Sequence, residues 1–170
     1  MKMIALRAVD CGFVKLPAEH PGLVSDPLIE SGTVCVLPTG HPLAQFQEIQ
    51  VSQLDNEPLI LLGKGRVFRR QLENAFKHAQ VKMQVRVETH TVGSACALVR
   101  GNIGIAIVNE MLAMQYASAK VVLRHFKPDI RHEYAFLTSS NAPMTRVTRI
   151  FLAHCKAYFL VNRCRIDRVL

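Results

Sequence analysis

The side chains best suited to holding a ligand lie between Val85 and Asn109. Met83, Val85 and Val87 alternate with Gln84, Arg86 and Glu88, the two-residue period of a half-buried strand. The stretch Glu88-Thr89-His90-Thr91-Val92-Gly93-Ser94 that follows is dense in small hydrogen-bonding groups. Val92, Ala95, Cys96 and Val99 then recur at helical spacing, and Gly101–Gly104 ends the helix before the apolar run Ile105–Val108. A hydroxyl-rich loop that leaves a strand and opens a helix suits an anionic group. Free backbone N–H donors and the positive end of the helix dipole meet there. Thr89, Thr91, Gly93 and Ser94 are therefore the leading ligand candidates. Thr91 or Ser94 would use the same geometry simply to cap the helix. His90 could pair with a ligand carboxylate, or stand exposed beside the strand end without a role.

A second candidate is Gly63-Lys64-Gly65-Arg66-Val67, between the apolar run Pro58–Leu62 and a helix opening at Phe68. Gly63 and Gly65 let the backbone approach a ligand closely. Lys64 or Arg66 could neutralise a carboxylate, Arg in bidentate fashion. The spacing is not that of a phosphate-binding GxxxxGK[ST] loop, and a flexible basic turn is the alternative. Catalysis finds no support. His78, His90, His125, His132 and His154 are scattered, HExxH and GxSxG are absent, and the acidic residues show no pairing pattern. No metal site and no cofactor are expected.

The elements that would position these residues are legible from periodicity. Strands are expected near Cys11–Val14, Thr33–Leu37, Pro58–Leu62, Met83–Glu88, Gly104–Val108, Val121–Phe126 and Glu133–Leu137. Helices are expected near Val67–Ala79, Val92–Arg100, Glu110–Ala117 and Met144–Val161. Phe68, Leu72, Ala75, Phe76 and Ala79 make one apolar helix face, and Val147, Ile150, Phe151, His154, Ala157, Tyr158 and Val161 share another. Strands alternating with helices predict an α/β protein with mainly parallel pairing.

Composition sets the outer bounds. The chain has 170 residues, 49% of them hydrophobic, enough for one domain of ordinary size or two small lobes. Apolar runs fall short of the roughly 20 residues that span a bilayer. The opening MKMIALRAVD is too short and too charged for a secretory signal, so a cytoplasmic protein is expected. The net charge of +8 permits contact with nucleic acid or anionic ligands without establishing either. Lys64, Arg66, Arg69 and Arg70 form one basic cluster, and Arg146, Arg149, Lys156, Arg163, Arg165 and Arg168 another. Both read as solvated helix faces, because the interleaved aromatics of single-strand binders are missing. Cys11, Cys35, Cys96, Cys155 and Cys164 are widely spaced, which fits ordinary thiols rather than zinc ligands or a disulfide framework.

Several of these segments, in this order and spacing, resemble the effector-binding domain of LysR-type transcriptional regulators. Asp10-Cys11-Gly12-Phe13-Val14 resembles a family strand, and Val34-Cys35-Val36-Leu37-Pro38-Thr39-Gly40-His41-Pro42-Leu43-Ala44 resembles its crossover strand and "LPxxHPLA". Leu54–Leu62 resembles "DLxxEPLILL", and Phe68–Phe76 the following helix. The likeness runs to about Ala153. Glu88-Thr89-His90-Thr91, Ala95–Arg100 and Val108-Asn109 look most like LysR itself and the opine-responsive regulators. Asn102 stands where the family usually has Gly, and Glu110 where it usually has Pro. Asn accepts a left-handed backbone, whereas loss of Pro leaves the shape of Asn109–Met111 open.

The resemblance implies a type II periplasmic-binding-protein-like fold: two Rossmann-like lobes joined by crossover strands. Residues 1–40 and 138–170 would form lobe I and 41–137 lobe II, with Pro38–Pro42 and Thr138–Pro143 as the crossings. Lobe I would be incomplete, since the family's preceding strand, helix and strand have no counterpart before Asp10, and no DNA-binding domain would be present. Unpaired edges and exposed apolar surface should follow. On the hinge side Thr39, Phe13 and Val14 would join the ligand site, as ligands collect beyond the C-terminal ends of strands. The implied function is sensing a small carboxylate-bearing effector, an amino acid or derivative. DNA would be contacted only through a winged helix-turn-helix outside this chain, in a homodimer or homotetramer, with no membrane partner. A free-standing solute-binding module with the same cleft is the alternative.

Overall fold

The structure is a computed structural model and describes residues 1–166. The chain forms α1 (Lys2–Ala5), β1 (Cys11–Lys15), β2 (Leu23–Ser31), β3 (Thr33–Pro38), β4 (Glu48–Gln50) and β5 (Pro58–Leu62). It continues with α2 (Val67–His78), β6 (Gln84–Thr89), α3 (Val92–Arg100), β7 (Ile105–Asn109), α4 (Glu110–Ala113), β8 (Val121–Lys127), β9 (His132–Ser139) and α5 (Arg146–Ile166). Its described residues divide into two units, one of residues 1–30 and 132–166, the other Ser31–Arg131.

These boundaries fall earlier than the expected lobes of 1–40 with 138–170 and 41–137. Thr33–Leu37 is completely buried in the second unit's sheet, so β3 belongs to that core. The chain changes unit at Ser31 and again at Arg131–His132. Pro38–Pro42 lies within the second unit and Thr138–Pro143 within the first.

The second unit carries a six-stranded sheet in the order β4-β8-β3-β7-β5-β6. Its central strands are mainly apolar and buried on both faces, as three-layer packing requires. Alternate residues go to opposite sides. Cys35, Leu37, Leu59, Leu61, Ile105 and Ile107 pack with Phe68, Leu72 and Phe76 of α2. Val34, Val36, Ile60, Ala106 and Val108 pack with Val92, Ala95, Cys96 and Val99 of α3. Pairing is mixed rather than mainly parallel. β5 runs parallel to β6 and β7, and β4 to β8, but β3 is antiparallel to both β7 and β8. Periodicity reports which face a residue takes, not the direction of its neighbour. Asn102, at φ 56°, keeps the turn after α3 in the left-handed conformation.

The first unit has a three-stranded sheet, β1-β9-β2, with β1 antiparallel to β9. β2 was not expected because Pro27 interrupts it. As an edge strand it tolerates a residue without an N–H. β4 was too short to recognise. The rings of Phe13, Phe136 and Phe151 meet edge-on with centroids 5.6–6.0 Å apart, and Lys156 reaches Asp26 at 2.8 Å. The apolar face of α5 is largely exposed. Its buried residues are Thr148 and Leu152, whereas Val147, Ile150, Phe151, His154, Ala157 and Tyr158 are exposed, Val147 at 76%. The pattern located an apolar face, but this unit supplies little to cover it. Val161 and the cluster members Arg163, Arg165 and Arg168, with Cys164, lie outside the residues whose side chains are described.

His132 is buried, and Lys15 Nζ donates to its Nδ1 at 2.7 Å. Burial, then the neighbouring ammonium, holds the imidazole neutral, its pKa pushed from 6.5 down to about 3. Between these values the unfolded chain binds a proton that the folded chain refuses. Stability should therefore fall as pH drops through that window, by at most about 1.4 kcal/mol per pH unit from this group. Urea titrations of wild type and His132→Asn from pH 7 to pH 4 should show a shallower acid loss in the variant. A second test concerns packing. A Cβ on Gly104 would overlap the Pro58 carbonyl oxygen, whereas one on Gly40 meets nothing within 4 Å. Gly104→Ala should cost about 1–3 kcal/mol in urea unfolding and Gly40→Ala far less.

Candidate functional site

β5, β6 and β7 run in one direction and end on the same edge of the second unit's sheet. Leu62 pairs with Thr89 in register, so the two loops singled out from sequence leave adjacent strand ends. They are bonded to each other: the Gly63 N–H donates to the Thr89 carbonyl at 3.0 Å, and Arg66 Nη2 to the His90 carbonyl at 3.2 Å. Lys64, Gly65, Arg66, His90, Thr91 and Ser94 are exposed, while Gly63, Thr89 and Gly93 are half-buried. Gly65 takes φ +88° in the loop, a conformation that favours glycine.

Two helices start at this edge. Arg66 occupies the N-cap of α2 without a side-chain cap, leaving first-turn N–H groups available to an acceptor. At α3 the cap is filled. Thr91 Oγ1 accepts the Ser94 N–H at 3.1 Å and lies 2.8 Å from Ser94 Oγ. Thr91 thus performs the capping role open to it from sequence, and Ser94 supplies the N–H it caps. Gly93 has a packing role as well, since a Cβ there would come within 2.7 Å of the Tyr116 hydroxyl.

Thr39 does not share this edge. β3 runs against β7, with Thr33 opposite Asn109, so Thr39 emerges at the far edge, where its hydroxyl donates to the Ala119 carbonyl at 2.9 Å. Phe13 and Val14 belong to the first unit. Conversely, the edge includes residues that sequence reasoning passed over. Arg69 was grouped with solvated basic residues but is only 4% exposed. Its guanidinium binds Glu73 at 2.9 Å, Glu88 at 3.2 Å and the Leu62 carbonyl at 3.2 Å. It ties the first turn of α2 to the ends of β5 and β6. Its spacing from Phe68 and Leu72 was the available signal. Asn109 is buried; its Oδ1 accepts the Leu112 N–H at 2.9 Å, and its Nδ2 has no partner among the described residues.

Among the described residues no cluster of three or more His, Cys, Asp or Glu could hold a metal ion. Cys11, Cys35, Cys96 and Cys155 are free thiols. Burial pushes the Cys35 thiol far up, and Cys96 upward against the opposing pull of Arg100. No described helix is long and apolar enough to cross a membrane.

Residues 1–160 match the LysR substrate binding domain. The chain belongs to that family and has its type II periplasmic-binding-protein-like fold. The Transcriptional activator protein LysR of Escherichia coli (strain K12) is 31% identical over 148 residues, 87% of this chain and 48% of that protein. The Regulatory protein NocR of Agrobacterium tumefaciens (strain T37) is 28% identical over 153 residues, 90% of this chain and 51% of NocR. The chain thus spans about half the length of these relatives. The CcmR regulatory domain of Synechocystis PCC6803, solved in complex with 2-PG, superposes with a TM-score of 0.76 at 21% identity, covering 93% of this chain and 77% of that one.

Arg69 offers the sharpest test of how the edge is held. Arg69→Met keeps much of the side-chain volume but leaves the Leu62 carbonyl and two carboxylates without their donor. It should cost about 1–3 kcal/mol in urea unfolding, with amide-resonance changes concentrated at Leu62–Arg66 and Glu88–His90.

Proposed function

We propose that this chain is the effector-binding domain of a LysR-type transcriptional regulator, and that its effector is an amino acid or amino-acid derivative with at least one carboxylate. The observation that carries the reading is the shared edge of β5 and β6. It gathers the uncapped start of α2 and the exposed cations Lys64 and Arg66 beside the Thr89–Ser94 loop. Helix-start N–H groups and a guanidinium favour a carboxylate, and the hydroxyls of Thr89 and Ser94 add adaptable donors. Similarity to LysR and NocR supports the effector class. In this reading Thr39, at the opposite end of the sheet, is not a primary contact.

The whole regulator would be cytoplasmic and dimeric or tetrameric, and would meet DNA through a winged helix-turn-helix outside these residues. Effector binding would shift its populations and alter those contacts without catalysis. Calorimetry against L-lysine, meso-diaminopimelate, an opine and benzoate tests the proposal. One or more of the amino-acid ligands should bind, and removing a charge-assisted contact by Lys64→Ala or Arg66→Ala should weaken binding by about tenfold or more. Binding of benzoate alone would overturn the amino-acid reading.

A further inference from the structure

The start of β3 is held by a pairing that no motif predicts. Glu110 Oε2 accepts the Gly32 N–H at 3.1 Å, and the Glu110 N–H donates to the Gly32 carbonyl at 3.1 Å. Glu110 is only 6% exposed, and among the described residues no Lys, Arg or His forms an ion pair with it. The next residue repeats the arrangement: the Met111 N–H donates to Ser31 Oγ at 3.0 Å. A Cβ on Gly32 would lie 2.8 Å from Glu110 Oε2, so glycine is what admits the carboxylate. Thr33 Oγ1 donates to the Ile130 carbonyl at 2.6 Å. Both segments through which the chain changes unit, Ser31–Thr33 and Asp129–Arg131, therefore converge beside the start of α4.

The residue before Glu110 faces the other way in function. Leu59 and Ile60 pair with Ile105 and Ala106, and continuing that register places Gly63 beside Asn109. Asn109 is thus in line with the opening of the basic loop at the ligand edge. Its side chain already caps α4. Three consecutive residues, Asn109, Glu110 and Met111, bridge the candidate ligand edge and the inter-unit junction.

We propose that Glu110 is a latch on the junction segment Ser31-Gly32-Thr33, and that the Asn109–Met111 segment couples ligand occupancy at the β5–β7 edge to that latch. The coupling rests on the function proposed above; the latch itself does not. The Glu110 side-chain oxygen accepts a backbone N–H, and burial keeps water from replacing that bond. Loss of the carboxylate frees the Gly32 N–H and leaves Asn109–Met111 to be ordered when ligand binds, which weakens binding. By reciprocity, ligand binding tightens the latch.

Amide hydrogen exchange on the full chain, read at Gly32 by NMR, tests the latch. Exchange in Glu110→Ala should rise by about tenfold or more over wild type, while Glu110→Gln, whose amide oxygen still accepts, should stay close to wild type. Gly32→Ala, which displaces the carboxylate, should repeat the effect at the Thr33 N–H and at Met111, and serves if Glu110→Ala does not fold. Unchanged protection in Glu110→Ala and Gly32→Ala would overturn the latch. For the coupling, a ligand from the amino-acid panel should bind Glu110→Ala about fivefold or more weaker than wild type, be restored in Glu110→Gln, and slow Gly32 exchange in wild type. Equal affinities in all three proteins, with Gly32 exchange altered, would overturn the coupling alone. If wild type binds none of the panel, the function proposed above and the coupling fall together, and Gly32 exchange still decides the latch.

Discussion

Thr33–Pro38 enters the six-stranded sheet between β7 and β8 and runs against both. That direction decides what each edge of the sheet contains. Because β3 begins where β5, β6 and β7 end, the junction residues Ser31–Thr33 share an edge with the Gly63–Arg66 and Thr89–Ser94 loops. Because it ends at the far side, Thr39 is separated from them. The strand is completely buried from Thr33 to Leu37, so its direction cannot change without taking apart both apolar clusters. Every other feature of the edge, from the Arg69 tie to the Glu110 pairing, is built around this fixed entry.

Arg69 shows how a buried charge can be compatible with such an edge. Taking a guanidinium out of water is expensive unless its donors are satisfied, and here a carbonyl and two carboxylates satisfy them. The half-exposed Glu73 and Glu88 bear the remaining solvation, so the network is worth less than a fully buried one. Its value is geometric. It fixes where β5 stops, and so where the glycine loop begins.

Much of this was legible in the sequence. Val92–Arg100 and Pro58–Leu62 have the bounds their periodicity predicts, and both loops follow the strands that were expected to feed them. What was not legible had physical reasons. Pro27 hid an edge strand. Arg69 looked solvated because charge type outweighed its position one residue after buried Phe68. Which end of the sheet Thr39 leaves was not legible, because alternation carries no information on strand direction. The apolar face of α5 was legible from spacing, but spacing alone does not say whether a partner covers it. The role of Glu110 depends on a backbone group at Gly32, remote in sequence and without a side chain to signal it.

The second unit is a single uninterrupted stretch, Ser31–Arg131, whose two ends are stitched together by the Thr33 hydroxyl and the Ile130 carbonyl. Both faces of its sheet are already clad by helices of that same stretch. Topologically it is a cassette set into the first unit, with entry and exit side by side. A cassette of this kind can be exchanged or circularly permuted at its seam, which falls at the last residue of β2 and between β8 and β9. Adjacent ends also mean that this whole stretch can be replaced in one recombination event.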